Sequence, residues 1–299
     1  MVTHYDPQTY PHEWNYLQPG TIIDQYIIER ALAGGGFSSV YLARQMSNQH
    51  QVAIKEYLPR RLAHRTWGNR VVPHTDKTRP LLVRGKKNFL AEAKVLSELK
   101  HPNIVEVLNF FSANETAYLV MTYDYGKSLA GYITNKKGNL SDQFLLVVFP
   151  ALLDGVRAIH RHQLLHLDIK PENILIRAGG SPLLLDFGAV HPHPTNERLK
   201  PGNIVTNGFS PVEQYVAAGN VGPWSDIYAI GATMRTCIEG VSPPPAPTRK
   251  RFDSVTPAAK AFHRKYPGPL LDAIDAAMAL EPEKRPQSVD EFLGLLKEL

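Results

Sequence analysis

One stretch of eight residues, 166 to 173, constrains this 299-residue chain more than any other. It reads His-Leu-Asp-Ile-Lys-Pro-Glu-Asn, so it places a carboxylate (Asp168), a cation (Lys170) and an amide (Asn173) at fixed offsets. Asp186 follows the apolar run 183–185, which predicts a short strand that ends in a second carboxylate. Carboxylate and amide oxygens are ligands that suit Mg²⁺. A base, a cation and metal ligands in this order are typical of phosphoryl transfer.

The stretch resembles the catalytic loop of protein kinases, H-R-D-x-x-x-x-N, and Asp186 begins the D-F-G motif that follows it in that family. The resemblance implies that Asp168 accepts the proton of the acceptor hydroxyl and that Lys170 contacts the γ-phosphate. It also implies that Asn173 and Asp186 hold Mg²⁺. Leu167 departs from the family, because it stands where kinases have arginine.

A glycine-rich segment precedes these motifs. An apolar strand over 26–32 is followed by Ala33-Gly34-Gly35-Gly36-Phe37-Ser38 and a second strand, which predicts a hairpin whose bare backbone N–H groups can approach phosphates. The segment resembles the kinase loop G-x-G-x-x-G-x-V, with Ala33 and Ser38 at the first and third glycine positions. Taken alone, three glycines in a hairpin are more often only a turn.

A lysine and a glutamate complete the expected phosphate clamp. Residues 52–55 resemble the V-A-I-K strand of kinases, which implies that Lys55 contacts the α- and β-phosphates. A helix is predicted around residues 89–99, because apolar residues recur there at helical spacing. Glu92 on this helix corresponds to the glutamate that orients the lysine in kinases. An exposed helix glutamate is the alternative interpretation.

The resemblance also assigns a nucleotide pocket. Residues 122–126 look like the kinase hinge, where adenine would bond to the Thr122 carbonyl and the Asp124 N–H, with Met121 before them. The residues assigned to nucleotide binding are Leu32, Ala33, Gly34, Gly35, Gly36, Phe37, Ser38, Val40, Ala53, Lys55, Met121, Thr122, Asp124 and Leu175. The apolar members of this set would be ordinary core residues in another fold.

Between Lys55 and the predicted helix lies a basic insert, about residues 60–87, with nine Lys or Arg and one acid. Kinases of a bacterial type with the sequence V-A-I-K-E-Y-x-P carry an insertion here, and residues 55–59 match that pattern. We expect a solvated loop. The alternative is a docking surface for an acidic or phosphorylated partner.

Downstream motifs extend the resemblance. The pair Ser141-Asp142 is expected to cap a long amphipathic helix that leads to the catalytic loop. Thr206 matches the position where Ser/Thr kinases place a hydroxyl against the catalytic Asp and Lys. Glu213 corresponds to the A-P-E glutamate and Arg285 to its distant partner. Asp226 matches the residue that hydrogen-bonds the backbone of the catalytic loop.

The missing arginine at Leu167 has a regulatory implication. In kinases switched by phosphorylation, this arginine pairs with a phosphate on the activation segment. A phosphate at Thr195 would lack that partner, so we expect regulation to lie elsewhere. Arg198 and Lys200 are cations that could substitute for it.

The implied fold is α+β and two-lobed, as in protein kinases, with a small antiparallel-sheet N-lobe, one main helix in it, and a larger, mostly helical C-lobe. We expect an N-terminal arm over 1–21, the N-lobe over 22–122 and the C-lobe over 123–299. The chain ends without a polar tail, so we expect a domain of a longer protein.

Composition narrows the setting. With 43% hydrophobic and 20% charged residues the chain is typical of globular proteins, and no signal peptide or run of membrane-spanning length is apparent. A single cysteine, Cys237, excludes an internal disulfide and suits the cytoplasm. We expect no nucleic-acid partner.

The hypothesis is a Ser/Thr protein kinase that uses ATP and Mg²⁺, or Mn²⁺, to phosphorylate proteins. A pseudokinase scaffold is the alternative, prompted by Ala33, Ser38 and Leu167; it is the weaker one because the clamp lysine and both catalytic aspartates are present. A small-molecule phosphotransferase is a third hypothesis. The segment around Glu213 favours protein substrates over it.

Overall fold

The computed structural model describes residues 15–186, 191–193, 205–216 and 219–297. The chain divides into two compact units, one of Met1–Lys100 with Glu106–Asp124 and the other of His101–Val105 with Tyr125–Leu299. The first is built on a sheet and the second mostly on helices, which confirms the α+β expectation.

The first unit is built on an antiparallel sheet of six strands in the order β1-β2-β3-β4-β8-β7. Its elements are β1 (Ile22–Ile23), β2 (Tyr26–Gly34), β3 (Ser38–Gln45), β4 (Gln51–Tyr57), β5 (Ala63–Arg65), β6 (Val71–Pro73), α1 (Arg79–Ser97), β7 (Val107–Ala113) and β8 (Thr116–Thr122). Side chains alternate across the strands, so Tyr41, Ile54 and Val120 lie on one face and form a core with Leu17. Helix α1 packs against β7 and β8.

The expectation of a solvated loop over residues 60–87 is wrong. Strands β5 and β6 pair as a hairpin, and residues 79–87 are the first turns of α1. Leu58, Ala63, Val71 and Leu82 form a buried cluster there. These four apolar residues lie at irregular spacing in a basic stretch of the sequence, so they form no periodic pattern. Only the hairpin brings them together.

A buried ion pair fastens this insert to the sheet. The guanidinium of Arg65 donates to the carboxylate of Glu56, and both side chains are almost fully buried. The same carboxylate accepts hydrogen bonds from the hydroxyls of Tyr41 at 2.9 Å and Tyr118 at 2.8 Å. Burial, and then the charge of Glu56, raise the pKa of both tyrosines. The carboxylate is thus satisfied from three directions.

The second unit is largely helical. Its elements are β9 (Gly126–Ser128), α2 (Leu129–Lys136), α3 (Asp142–Arg161), β10 (Leu164–Leu165), β11 (Ile174–Arg177), β12 (Pro182–Leu184), β13 (His191–Pro192), α4 (Pro223–Glu239), α5 (Ala246–Arg251), α6 (Ala258–Ala261), α7 (Gly268–Ala277) and α8 (Val289–Lys297). Ser141 caps α3 as predicted, since its hydroxyl accepts the N–H of Phe144 at 3.2 Å. Helix α4 is buried along almost its whole length.

The segment 101–105 belongs to the second unit although it lies between α1 and β7 in sequence. The Val105 N–H donates to the Leu184 carbonyl at 3.0 Å, and the Leu184 N–H donates to the Asn103 carbonyl at 2.8 Å. The next strand of the first unit, β7, therefore begins at Val107.

Helix α3 is long and apolar enough, by length and composition alone, to cross a membrane, with a mean hydropathy of 1.4 over 18 residues. Core helices can meet the same criterion. Eight of its residues, repeated at helical spacing, are buried within the protein. The expectation that no run approaches membrane-spanning length is therefore too strong, and packing accounts for these apolar residues.

We predict that Arg65→Met destabilises the protein strongly, because it leaves the Glu56 carboxylate buried without its cation. Removal of one partner of a buried pair typically costs about 3–5 kcal/mol. Chemical unfolding followed by circular dichroism measures the free energy of unfolding. Arg61→Ala is the matched control, because Arg61 is exposed and should change this energy by less than about 0.5 kcal/mol. Equal effects of the two changes would contradict this role of Arg65.

Candidate active site

Asp168 is the centre of a compact polar cluster in the second unit. The residue is almost fully buried, and its two carboxylate oxygens accept hydrogen bonds from the Lys170 ammonium at 2.9 and 2.8 Å. The Asn173 amide nitrogen donates to the Asp168 side chain at 3.0 Å and to its backbone carbonyl at 2.9 Å. The three residues predicted from the catalytic-loop motif therefore meet around one carboxylate.

Thr206 joins this cluster from a distant part of the chain. Its hydroxyl donates to Asp168 Oδ1 at 2.6 Å, and the Lys170 ammonium lies 3.3 Å from the hydroxyl oxygen. The Thr206 N–H donates to the Ser210 hydroxyl at 3.0 Å, which fixes the backbone there. A hydroxyl therefore fits within proton-transfer distance of the carboxylate.

The backbone of the catalytic loop is hydrogen-bonded to Asp226, as predicted. This fully buried carboxylate accepts the N–H groups of His166 at 2.9 Å and Leu167 at 2.8 Å, and His160 Nε2 lies 2.8 Å away. Burial acts to raise the pKa of Asp226, but the hydrogen bond and charge of His160, with His166, hold it below the ordinary value. Asp226 therefore stays ionised and keeps both backbone N–H groups satisfied.

His166 is a neutral structural member of the loop. The Asp168 N–H donates to its Nδ1 at 3.3 Å, and Nε2 lies 3.4 Å from the Leu185 carbonyl. Burial lowers the pKa of His166. An imidazole that accepts at Nδ1 carries its proton on Nε2, so His166 ties the catalytic loop to the strand end before Asp186.

Leu167 occupies an unusual backbone conformation, and a residue that sequence reasoning missed supports it. Its φ of +59° lies in the left-handed region that bulky side chains rarely adopt. The Gln214 amide donates to the Leu167 carbonyl at 2.9 Å. The Leu167 side chain packs with Leu165 and Val221, where an arginine would have placed a charge. The one sign of this contact in the sequence is the position of Gln214, directly after Glu213.

Asn173 and Asp186 lie close together because their strands pair. Ile174 of β11 is opposite Leu184 of β12, and the Leu185 N–H donates to the Asn173 carbonyl at 2.7 Å. The Asn173 amide nitrogen is committed to Asp168, so its oxygen is the atom suited to a cation. Among the described residues no three His, Cys, Asp or Glu side chains form a metal cluster. Two oxygen ligands still fit Mg²⁺, which commonly takes its other ligands from phosphates and water.

The predicted Glu213–Arg285 ion pair is confirmed. The guanidinium donates to both carboxylate oxygens, at 2.7 and 3.2 Å, and both side chains are buried. Arg285 also donates to the carbonyls of Ala279 and Leu280, while the Ser225 hydroxyl donates to Glu213 at 2.8 Å. This fully bonded pair fixes the segment that carries Thr206 and Gln214.

In the first unit, Lys55 shares a sheet face with several residues assigned to the nucleotide. Val40 is opposite Lys55, Ala53 is opposite Met121, and these four side chains alternate away from the core face of Tyr41 and Ile54. The lysine is almost fully buried. Glu92 lies in α1 of the same unit.

The remaining assigned residues are spread over both units. The glycine-rich segment forms the predicted hairpin turn between β2 and β3, with Phe37 exposed at its tip and Leu32 at an irregularity of the β2–β3 pairing. Thr122 ends β8, Asp124 closes the first unit, and Leu175 lies on β11 of the second unit. Phe187 and Gly188, after Asp186, lie outside the described residues.

Comparison with known proteins agrees with this arrangement. The family model of the protein kinase domain matches residues 26–293. Serine/threonine-protein kinase PrkC of Bacillus subtilis is 27% identical over 92% of this chain and 40% of its own length. Serine/threonine-protein kinase D of Synechocystis is 28% identical over 93% of this chain and 53% of its own length. The chain thus spans about half the length of these curated relatives.

A solved structure, the apo form of PpkA-294, matches nearly end to end. It is 32% identical and aligns with a TM-score of 0.83 over 94% of this chain and 99% of its own. The match confirms the expected fold class, with a curled antiparallel sheet in one part and a helical second part.

We predict that Gln214→Leu lowers kcat for phosphoryl transfer about three- to tenfold, because the Leu167 carbonyl loses its donor and the loop that holds Asp168 loosens. The KM for ATP should stay unchanged, since Gln214 acts on the loop alone. Steady-state kinetics separates the two constants. Tyr215→Phe is the control, because among the described residues the Tyr215 hydroxyl bonds only to Asn207, in an exposed contact. A rise in KM with constant kcat would refute this role.

Proposed function

Because the chain belongs to the protein kinase family, we propose that it transfers the γ-phosphoryl group of ATP to serine and threonine hydroxyls of proteins, its own included. One observation carries the proposal: the Thr206 hydroxyl lies 2.6 Å from Asp168, with the Lys170 ammonium beside both groups. This is the arrangement in which a carboxylate can take the proton of an attacking hydroxyl.

Each residue of the cluster has a distinct task. Asp168 orients the acceptor hydroxyl and accepts its proton at a carboxylate oxygen. Lys170 places a positive charge beside the site where negative charge develops on the transferred group. Asn173 and Asp186 offer oxygen ligands for the divalent cation that the family uses, Mg²⁺ or Mn²⁺. When bound, that cation would neutralise phosphate charge.

The nucleotide-binding residues belong to the same proposal. Lys55 contacts the α- and β-phosphates and Glu92 orients it. The face of Val40, Ala53 and Met121 borders the adenine, and the backbone N–H groups of Gly36 and Phe37 approach the phosphates. Ala33 and Ser38 are small enough to leave that backbone accessible.

Two observations support serine and threonine as acceptors. The curated bacterial relatives named above are serine/threonine kinases. In this chain the hydroxyl beside Asp168 belongs to a threonine on the segment that Glu213 and Arg285 anchor. No specific observation supports a pseudokinase scaffold.

We further propose a docking role for the basic insert and a cytoplasmic site of action. Arg61, Lys77, Arg84 and Lys87 are exposed on the folded insert, where they suit an acidic or phosphorylated protein segment. The single cysteine, Cys237, is buried, and burial raises the pKa of its thiol, which fits a packing role in a reducing compartment.

We predict that Asp168→Asn lowers the rate of phosphoryl transfer by a hundredfold or more, on the order expected for loss of a positioned base. Its affinity for Mg-ATP should remain near that of the wild type, because Asp168 acts on the acceptor. Transfer of labelled phosphate to a generic basic protein and calorimetric titration with nucleotide measure the two effects. Asp272→Asn, at an exposed position on α7, is the control.

The companion change is Lys55→Met, which should weaken both nucleotide binding and transfer. Full autophosphorylation by Asp168→Asn would show that the base is assigned wrongly. An unaltered rate of phosphoryl transfer in Lys55→Met would show that Lys55 is wrongly assigned as the phosphate clamp.

We predict that activity does not depend on phosphorylation of the activation segment, because Leu167 fills an apolar cluster and offers no guanidinium to a phosphate. Thr195, the candidate acceptor, and the cations Arg198 and Lys200 lie outside the described residues. Phosphatase-treated protein and Thr195→Ala should both show initial rates within about twofold of the untreated protein on an exogenous substrate. A lag that disappears as Thr195 is phosphorylated would contradict this prediction.

A further inference from the structure

The glycine-rich turn is tied along its length to the residues that follow Lys55. The β3–β4 pairing ends at Ser38 and Tyr57, but the hydrogen bonds continue beyond it. The Leu58 N–H donates to the Phe37 carbonyl, and the Arg60 N–H donates to the Gly36 carbonyl, both at 2.9 Å. The backbone at the start of the basic insert is therefore hydrogen-bonded to the turn.

Two side chains also pack directly against the turn at Gly34. A methyl group added there would lie 2.0 Å from the Tyr16 hydroxyl and 2.8 Å from a terminal nitrogen of Arg60. The same addition at Gly35 or Gly36 would meet nothing within 4 Å. Of the three glycines, only Gly34 lies where neighbouring side chains leave no room for a larger residue. The kinase loop pattern itself asks for no glycine at this position.

The contact acts from the core side of the sheet. Gly34 is opposite Ser39, which is opposite Glu56, and Ser39 and Glu56 are both fully buried. Lys55 and Val40 point to the other face, because side chains alternate along a strand. Tyr16 and Arg60 therefore support the turn from behind and leave the nucleotide face clear.

The Arg60 guanidinium contacts its surroundings through packing more than through hydrogen bonds. Its guanidinium carbon lies 5.1 Å from the centre of the Tyr16 ring, a cation–π distance. Its carbonyl oxygen is 2.9 Å from His74 Nε2 of the insert. Its Nε and one terminal nitrogen are buried without a hydrogen-bond partner among the described residues. Packing against Tyr16 and Gly34 is therefore what fixes the guanidinium.

We propose that Tyr16 and Arg60 are positioning residues that hold the glycine-rich turn, residues 34–37, in the conformation that receives the nucleotide phosphates. The inference rests on the proposed function for the identity of the ligand. A turn that is already ordered loses less conformational entropy when the nucleotide binds. The N-terminal segment and the insert would thus set nucleotide affinity without touching the nucleotide.

The test compares Arg60→Ala and Tyr16→Ala with Arg61→Ala, an exposed neighbour that serves as the control. Hydrogen exchange of the backbone amides of Gly35, Leu58 and position 60 reports order in the turn, and calorimetry with Mg-ADP reports affinity. We expect exchange at least about threefold faster and affinity about three- to tenfold weaker in the two test variants. Tyr16→Phe removes the hydroxyl next to Gly34 but keeps the ring beside Arg60, so its effects should be smaller than those of Tyr16→Ala.

Gly34→Ala is a second route to the same result, because it displaces Tyr16 and Arg60 without removing either. It should reproduce both effects. Unchanged exchange, or faster exchange with unchanged Mg-ADP affinity, in Arg60→Ala and Gly34→Ala would overturn the proposal. Neither readout requires phosphoryl transfer, so a protein that binds Mg-ADP but transfers no phosphate would sink the proposed function and leave this test intact.

Discussion

The acceptance of two consecutive backbone N–H groups by Asp226 is the interaction on which the active site depends. Leu167 has a left-handed backbone, which is unfavourable for its side chain, and it persists because its N–H, carbonyl and side chain are all held. Asp168 is the next residue, so the backbone that carries its side chain is held in place as well. A buried carboxylate is costly unless it is fully hydrogen-bonded, and His160 completes its shell. The buried helix α4 thus positions the catalytic loop through Asp226.

The same helix region also holds the segment of Thr206 and Glu213. Ser225, one residue before Asp226, donates to Glu213, whose ion pair with Arg285 is buried. Glu213 is followed by Gln214, which reaches the catalytic loop, and is preceded by the turn that carries Thr206. Asp168 and the Thr206 hydroxyl are therefore positioned from one scaffold. Such a buried pair acts here through geometry more than through net stability.

In the first unit, the two faces of one sheet have different tasks. One face carries Lys55 with Val40, Ala53 and Met121, whereas the opposite face carries the Glu56 carboxylate and the contacts that bind the insert. Because Lys55 and Glu56 are neighbours in β4, whatever fixes the insert also fixes the strand that presents the lysine. The basic insert is consequently part of the fold, and its exposed cations are displayed from a rigid base.

The residue types and spacing of 166–173 were enough to predict a cluster around Asp168, and the resemblance of further motifs to the protein kinase family predicted the Glu213–Arg285 pair and the contacts of Asp226. Three features are seen only in the folded protein: residues 60–87 are folded, Gln214 supports the catalytic loop, and Tyr16 and Arg60 pack behind the glycine-rich turn. The reason is physical. These contacts join single residues that are remote in sequence and carry no periodicity, so their partners are defined only when the strands pair and the core closes.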